Sequence, residues 1–292
     1  MISNYLKIFV RLFVKQTAFT LINVLGLAVG FACCMIIALF VRHELSFDRF
    51  HANADNLYRI SNVSLDPAGV TSEGAATFFP VAPMLADNFP VITDIARMRP
   101  KPALFSVGEE SFYENEFRLV DPAFFRLFDF VWLEGDAASA FNSATDVVLT
   151  RSFAEKYFGS TGALGQSLLM SEGVTLRVTG VIEDLPANTH LTGTTFASMA
   201  LLDLIEPVET RRDWFNENLY VYATLRPDTD LAQFRSQLAE FGRTNIPAIG
   251  VSFTLKLDAV TAIHLNPSIG DIDTSGNKLI VAVFTAVGIG IL

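Results

Sequence analysis

Four histidines are the first residues to weigh for chemistry. His43-Glu44 has the opening of a His-Glu-x-x-His zinc helix, where two imidazoles one turn apart hold the metal and the glutamate serves as base. The second ligand would stand at position 47, which is Phe47. Asp48 and His51 follow at spacings that would share one side of a continued helix with His43. A catalytic metal also needs an ordered third ligand and an open position, and the reading is that no residue here is a metal ligand. His190 and His264 stand beside turn-like sequence, Pro186-Ala187-Asn188 and Asn266-Pro267, and read as capping or surface residues.

Other chemistry is equally sparse. Gly162-Ala163-Leu164-Gly165-Gln166-Ser167 has a superficial likeness to a phosphate loop, but such a loop needs Gly at 160 and Lys at 166. Ser160 and Gln166 stand there, so no cation meets the phosphates. Glu183-Asp184 is a carboxylate pair at a strand end, and adjacent strand residues point to opposite faces. A shared acid/base site is not expected from it. The sequence does not read as an enzyme: catalytic residues none, cofactor-binding residues none.

The elements that carry these residues begin with a membrane segment. Gln16 to Val41 holds no charged side chain, and roughly 20 apolar residues cross a bilayer core as a helix. The run is too long for a signal peptide, and its end lacks a small-x-small cleavage site. Residues 17–41 are therefore expected as a retained transmembrane helix. Lys7, Arg11 and Lys15 precede it with no acidic residue, which places the N-terminus in the cytoplasm. Those cations fall on one stripe, so residues 1–16 read as an amphipathic cytoplasmic segment, either lying on the membrane surface or extending the membrane helix. Within the helix, Gly26 and Gly30 are spaced for close approach of another helix, and Asn23 could hydrogen-bond across the contact. The plainer reading is that glycine is common in membrane helices. Cys33 and Cys34 sit at membrane depth and cannot staple the rest of the chain. A second apolar run, residues 279–292, reads as the start of another membrane helix. At 14 residues it spans about 21 Å, and a truncated gene or a fragment is the expectation.

Between the two runs lies an acidic segment, residues 42–278. The formal net charge is −10 and the first 41 residues carry three cations, so the remainder stands at −13. That excludes nucleic acid as a partner, since phosphates need a basic surface. The segment can bury a sizeable core, as two subdomains. Strands are expected at 57–65, 91–99, 103–107, 111–120, 146–150, 174–183, 218–225 and 251–257. Helices are expected at 78–89, 124–130, 151–158 and 231–241, the last with Asp230 near its cap. Strands mixed with short helices and hairpins give an α+β fold, a mixed α/β domain inserted between two transmembrane helices.

Several phrases resemble the MacB/FtsX-like permease family of bacterial ABC transporters, and its periplasmic core domain in particular. They are Val41-Arg42-His43-Glu44-Leu45-Ser46-Phe47-Asp48-Arg49-Phe50-His51 with Leu57-Tyr58-Arg59-Ile60, and Phe124-Phe125-Arg126-Leu127-Phe128-Asp129-Phe130 with Leu133-Glu134-Gly135-Asp136. Val147-Val148-Leu149-Thr150 and Ala154-Glu155-Lys156-Tyr157-Phe158-Gly159 follow, then Leu164-Gly165-Gln166-Ser167-Leu168. Val178-Thr179-Gly180-Val181-Ile182-Glu183-Asp184-Leu185-Pro186-Ala187-Asn188-Thr189-His190 and Ile263-His264-Leu265 complete the set. The resemblance implies an inner-membrane permease subunit with its N-terminus in the cytoplasm and residues 42–278 in the periplasm. It implies a homodimer or heterodimer of permeases contacting membrane lipid. A separate cytoplasmic ABC ATPase would bind the ATP, so no cofactor is expected in this chain. Family members use that ATPase to move the periplasmic domain, for export or extraction of lipoproteins, peptides or antibiotics. The alternative is a membrane-anchored periplasmic sensor or binding module with two flanking helices. A periplasmic hydrolase would require His43, Asp48 and His51 to converge on a metal.

Overall fold

The computed structural model describes residues 17–159, 162–209, 214, 218–248, 250–268, 270–272 and 276–291. The expected amphipathic segment 1–16 and Ser160 lie outside them. The chain divides into two compact units, one of residues 1–46 with 277–292, the other of residues 47–276.

The first unit is a helix pair. Helix α1, Thr17–Glu44, has 28 residues, none buried, and is long and apolar enough to cross a membrane. At 1.5 Å per residue it is about 42 Å long, and it runs three residues past the expected end at Val41. The partner helix, Lys278–Ile291, has 14 residues and is capped by Asn277, whose side chain accepts from Leu279 N at 2.9 Å. The pair meets through Phe40 and Phe284, with ring centroids 5.3 Å apart, and through the Cys34 thiol and Gly288 O at 3.8 Å.

The second unit is built on one mixed sheet. In chain order it contains β1 (Leu57–Leu65), β2 (Thr71–Gly74), α2 (Val81–Asn88), β3 (Ile92–Pro100), β4 (Ala103–Val107), β5 (Glu110–Glu114), β6 (Phe117–Val120) and α3 (Phe124–Leu127). It continues with β7 (Trp132–Glu134), β8 (Asp146–Thr150), α4 (Arg151–Phe158), β9 (Ser167–Met170), β10 (Thr175–Ile182), β11 (Thr195–Ser198) and α5 (Leu202–Ile205). β12 (Tyr220–Leu225), α6 (Leu231–Asn245), β13 (Ser252–Ala259) and α7 (Val260–Ile263) complete it, and α8 is Lys278–Ile291 of the helix pair.

The strand order is β13-β1-β12-β3-β6-β11-β8-β10-β9-β4-β5, with β2 beside β1 and β7 beside β10. The two expected subdomains appear as two strand groups joined through β3 and β6, where Met98 pairs with Val120. In the first group β1 leads through α2 to β3, and β12 leads through α6 to β13. All three neighbouring pairs are antiparallel. That is the split β-α-β arrangement repeated twice, with residues 101–219 inserted between its halves.

Cores form on both faces. One gathers Ile60, Phe78, Leu85, Val221, Phe234, Leu238 and Leu257 beneath α2 and α6. The other gathers Leu57, Phe124, Phe125, Phe128, Phe196, Tyr222, Val260 and Ile263 beneath α3 and α7. Helix α6 starts as its sequence predicts, with Asp230 accepting from Ala232 N and Gln233 N at 3.0 Å each. It lies close on β13 because position 242 is glycine: a Cβ there would stand 2.6 Å from Leu255 N.

Two expectations need correction. The strand foreseen over 111–120 is two strands, because the chain turns at Asn115-Glu116. Arg118 anchors that turn, donating to Asn115 O at 3.0 Å and to Thr192 O at 3.1 Å. Strand β6 thereby leaves its hairpin and pairs with β3 and, in parallel, with β11. The second concerns β1, whose alternation predicts one wet face. Arg59 and Ser61, its polar positions, are instead buried, each 1% exposed.

Candidate functional site

The turn after α1 carries Asp48 and His51. Asp48 is fully buried and is the one non-glycine with positive φ, at +55°, among the described residues; aspartate tolerates that conformation better than most residues. The conformation turns Asp48 inward onto the loop after β10. Its amide donates to Asn188 O at 2.9 Å. Its carboxylate accepts from the Thr189 hydroxyl at 2.6 Å and from the His190 amide at 3.2 Å. His190 Nδ1 lies 2.9 Å from Asp48 Oδ2, at ion-pair distance but bent away from hydrogen-bond geometry. On the far side of that ring, Nε2 is 2.9 Å from the Tyr222 hydroxyl of β12.

The electrostatics follow from this packing. Burial by itself raises Asp48, but the charge of His190, its side-chain contact, the Thr189 hydroxyl and the His190 amide outweigh it and hold the carboxyl below its ordinary value. His51 goes down because burial outweighs the attraction of Asp48 and Asp129. Its Nδ1 accepts from the Asp129 amide at 3.1 Å, as a neutral ring does. Its Nε2 has no hydrogen-bond partner among the described residues and faces Asp48 Oδ1 at 4.0 Å. Burial pushes the Tyr222 hydroxyl up, so it stays protonated.

The polar chain continues across the sheet. Tyr222 stands directly opposite Arg59 in the β1–β12 register, and opposed residues share a face. Arg59 is ion-paired with Asp271 and lies 4.0 Å from Asp258. The Tyr220 hydroxyl donates to Gly270 O at 2.5 Å, and Ser268 N to Asp271 Oδ2 at 2.5 Å. This burial of Arg59 and Ser61, which bonds Asp258 at 2.6 Å, explains why β1 has no wet face over its first turns of alternation.

Beside His51 and Thr189 is a recess of about 190 Å³, with Phe50, Phe130, Leu185 and Leu191 as its apolar wall and Asp129, Glu183 and Asp184 among its polar groups. Glu183 and Asp184 both line this recess, but each has its own partner on α4. Glu183 pairs with Arg151 at 2.5 Å and Asp184 accepts from Ser152 N at 3.0 Å, so both tie down the first turn of α4.

The sequence expectations are only partly met at this site. His190 and His264 are not surface residues, at 3% and 6% exposed. The Phe47 ring stacks on His264 at 3.3 Å between centroids. Their flanking prolines and asparagines mark real turns, with Pro186, Ala187, Asn266 and Pro267 exposed, but the two histidine side chains are buried. Helix α1 ends at Glu44, so Asp48 and His51 do not extend the face of His43. Among the described residues, no three His, Cys, Asp or Glu are grouped to hold a metal ion. In the helix pair, a Cβ on Gly30 would stand 3.8 Å from Ile291, while one on Gly26 would meet nothing within 4 Å. Asn23, Gly26 and Gly30 together line an open groove on α1. Asp48, Tyr222, Arg59 and Asp271 were not foreseen as a group. The Asp48–His190 contact spans 142 positions, and no spacing rule reaches that far.

Comparison with known proteins gives a family match. The model of the MacB-like periplasmic core domain matches residues 20–241. A search of curated proteins finds no match. Among solved structures, the chain is similar to a domain of a permease protein from Porphyromonas gingivalis, with 20% identity and a TM-score of 0.61 over 73% of this chain and 92% of that one. It is also similar to the periplasmic region of MacB from Actinobacillus actinomycetemcomitans, at 13% identity and TM-score 0.49 over 69% of this chain and 89% of that one. The extracellular domain of the noncanonical ABC-type transporter YknZ from Gram-positive bacteria follows, at 14% and 0.47 over 68% and 98%. At such identities the structural likeness speaks to the fold, while the family match covers most of the sequence, from within α1 to within α6. The chain belongs to the MacB-like periplasmic core domain family, the outer domain of MacB/FtsX-like permeases.

Proposed function

We propose that the protein is a permease subunit, or the N-terminal part of one, of an ABC transporter. In this reading α1 crosses the inner membrane with its N-terminus in the cytoplasm, and residues 42–278 lie in the periplasm. A separate cytoplasmic ATPase hydrolyses ATP and drives movement of the outer domain, for export or extraction of a lipoprotein, peptide or antibiotic. The subunit works as a dimer of permeases, and the groove along Asn23, Gly26 and Gly30 receives another membrane helix.

The observation that carries this reading is the family match across residues 20–241, beginning inside a helix long enough to span a bilayer. The test is purification of the tagged full chain from membranes of its own host. An ABC ATPase is expected to copurify in near-stoichiometric amount and to lose that association when the membrane helices are replaced. Recovery of the chain with no such ATPase, under conditions that keep membrane complexes intact, would remove the reading.

The recess beside His51 gives one support to the alternative, a membrane-anchored sensor or binding module. A saturable ligand of the purified protein that leaves ATPase association unaffected would favour it.

A further inference from the structure

We infer that the buried chain Asp48–His190–Tyr222–Arg59–Asp271 couples the two ends of the outer domain, so that a change at the turn after the first membrane helix reaches the turn before the second. The inference deepens the proposed function, since a domain moved from its attachment points needs those points to be linked.

Three of the four links are side-chain contacts between elements distant in sequence, and the fourth, Tyr222 with Arg59, is register pairing across β1 and β12. The leading turn, residues 47–51, is held at Asp48 by three groups of the 188–190 loop. His190 touches Asp48 with one ring nitrogen and Tyr222 with the other. Tyr222 and Arg59 are register partners on the two central strands of the first group, and Arg59 holds Asp271 in the trailing segment, of which 266–268 and 270–272 are described. A second tie, Tyr220 to Gly270, fixes the same turn from the same strand, β12.

The arrangement differs from a set of independent anchors in one respect. Tyr222 is 0% exposed, and its ring packs on Phe128 at 5.0 Å and Phe124 at 6.5 Å. It has no freedom to move without carrying its hydrogen-bond partner along, because close-packed interiors transmit strain rather than absorb it. Arg59 is likewise fully buried, with Nε and Nη2 lacking hydrogen-bond partners among the described residues. A buried guanidinium left so incompletely bonded is costly, and its pairing with Asp271 is sensitive to small shifts of β1 against β12. The chain therefore has a rigid middle and a responsive end.

Hydrogen exchange on the full chain in detergent or nanodiscs tests this without any transport assay. Tyr222→Phe keeps the ring and removes the hydroxyl link; Asp48→Asn keeps the shape and removes the charge. Either is expected to raise exchange in residues 266–268 and 270–272, beyond the direct Phe47–His264 contact, by about tenfold or more, with peptides of β8 and β10 unchanged. Reciprocally, Asp271→Asn is expected to raise exchange in residues 47–51 and 188–191, as linkage requires. Asp94→Asn, which breaks an exposed pair with Arg126, is the control and is expected to leave both turns unchanged. The inference is overturned if Tyr222→Phe and Asp48→Asn alter only their own surroundings, or if they raise exchange uniformly through the sheet. Because the readout is local exchange, it stands or falls separately from copurification of an ATPase.

Discussion

Arg59 and Tyr222 are register partners across two neighbouring strands of the outer domain, and each is tied to a different turn. Tyr222 meets His190, which is clasped to Asp48 four residues past the end of the apolar helix α1 at Glu44. Arg59 meets Asp271, seven residues before the second apolar helix begins at Lys278. A polar thread of this kind inside an apolar layer is demanding, since every member left unpaired costs desolvation energy. Its presence beside the turns at residues 47–51 and 270–272 is what the proposed coupling of those turns rests on.

Removing Asp48 strands His190 in a buried site. Breaking a buried pair by deleting one partner costs about 3–5 kcal/mol. Asp48→Ala is expected to lower thermal stability of the purified protein by that amount, followed by circular dichroism or scanning calorimetry. Asp48→Asn is expected to lose less, because asparagine keeps the Thr189 and amide contacts and also tolerates positive φ. Equal losses from both would mean that charge rather than shape holds the turn.

Stability is expected to fall as pH falls, in two stages. The folded pKa of His51 is below its ordinary 6.5, so below pH 6.5 the unfolded chain takes up a proton that the folded chain resists. That erodes stability as pH drops from 6.5 toward the folded value. Asp48 is held below its ordinary 3.8, so its contribution is full above 3.8 and is lost as pH falls through the lower folded value. His51→Gln is expected to flatten the first stage and leave the second. A melting temperature that rises on mild acidification would contradict the assignment.

Gly242 marks where α6 meets β13. Gly242→Ala would put a methyl 2.6 Å from a backbone nitrogen that has no room to yield. Overpacking of this sort costs about 1–3 kcal/mol, and chemical denaturation is expected to show it. Gly26→Ala meets nothing within 4 Å and is expected to leave the stability of the isolated chain unchanged. If Gly26→Ala instead weakens self-association or association with another membrane protein, the groove on α1 is an occupied packing face.

Much of the fold was legible from local pattern. The strand at 57–65 and the helix at 151–158 stand where periodicity puts them, and Gly159 ends that helix at φ +73°. The short strands β2, β7, β9 and β11 were not legible, since three or four residues cannot show a period. β11 is buried throughout between β6 and β8, so no alternation marks it. The helix foreseen over 78–89 begins only at Val81, because Phe78 and Phe79 are spent in the core under a turn. The site was hardly legible at all. The family phrases contain Asp48, His190 and Arg59, yet their meeting depends on strand order, which sequence spacing does not encode. Arg59 inside Leu57-Tyr58-Arg59-Ile60 was the one local hint, a charge in a strand that turned out to have no solvent face.

The central claim is that the acidic domain stands outside the cytoplasm on a retained membrane helix. With Cys33 and Cys34 replaced by serine, a single cysteine at Tyr113, which is 63% exposed, can be probed with a membrane-impermeant maleimide in cells whose outer layer has been opened. The account predicts prompt labelling of Tyr113→Cys in a membrane-bound chain, with a cysteine at Lys7 labelled only after the inner membrane is lysed. Labelling of the Lys7 position alone in intact cells, or a chain recovered free in the soluble fraction, would contradict it.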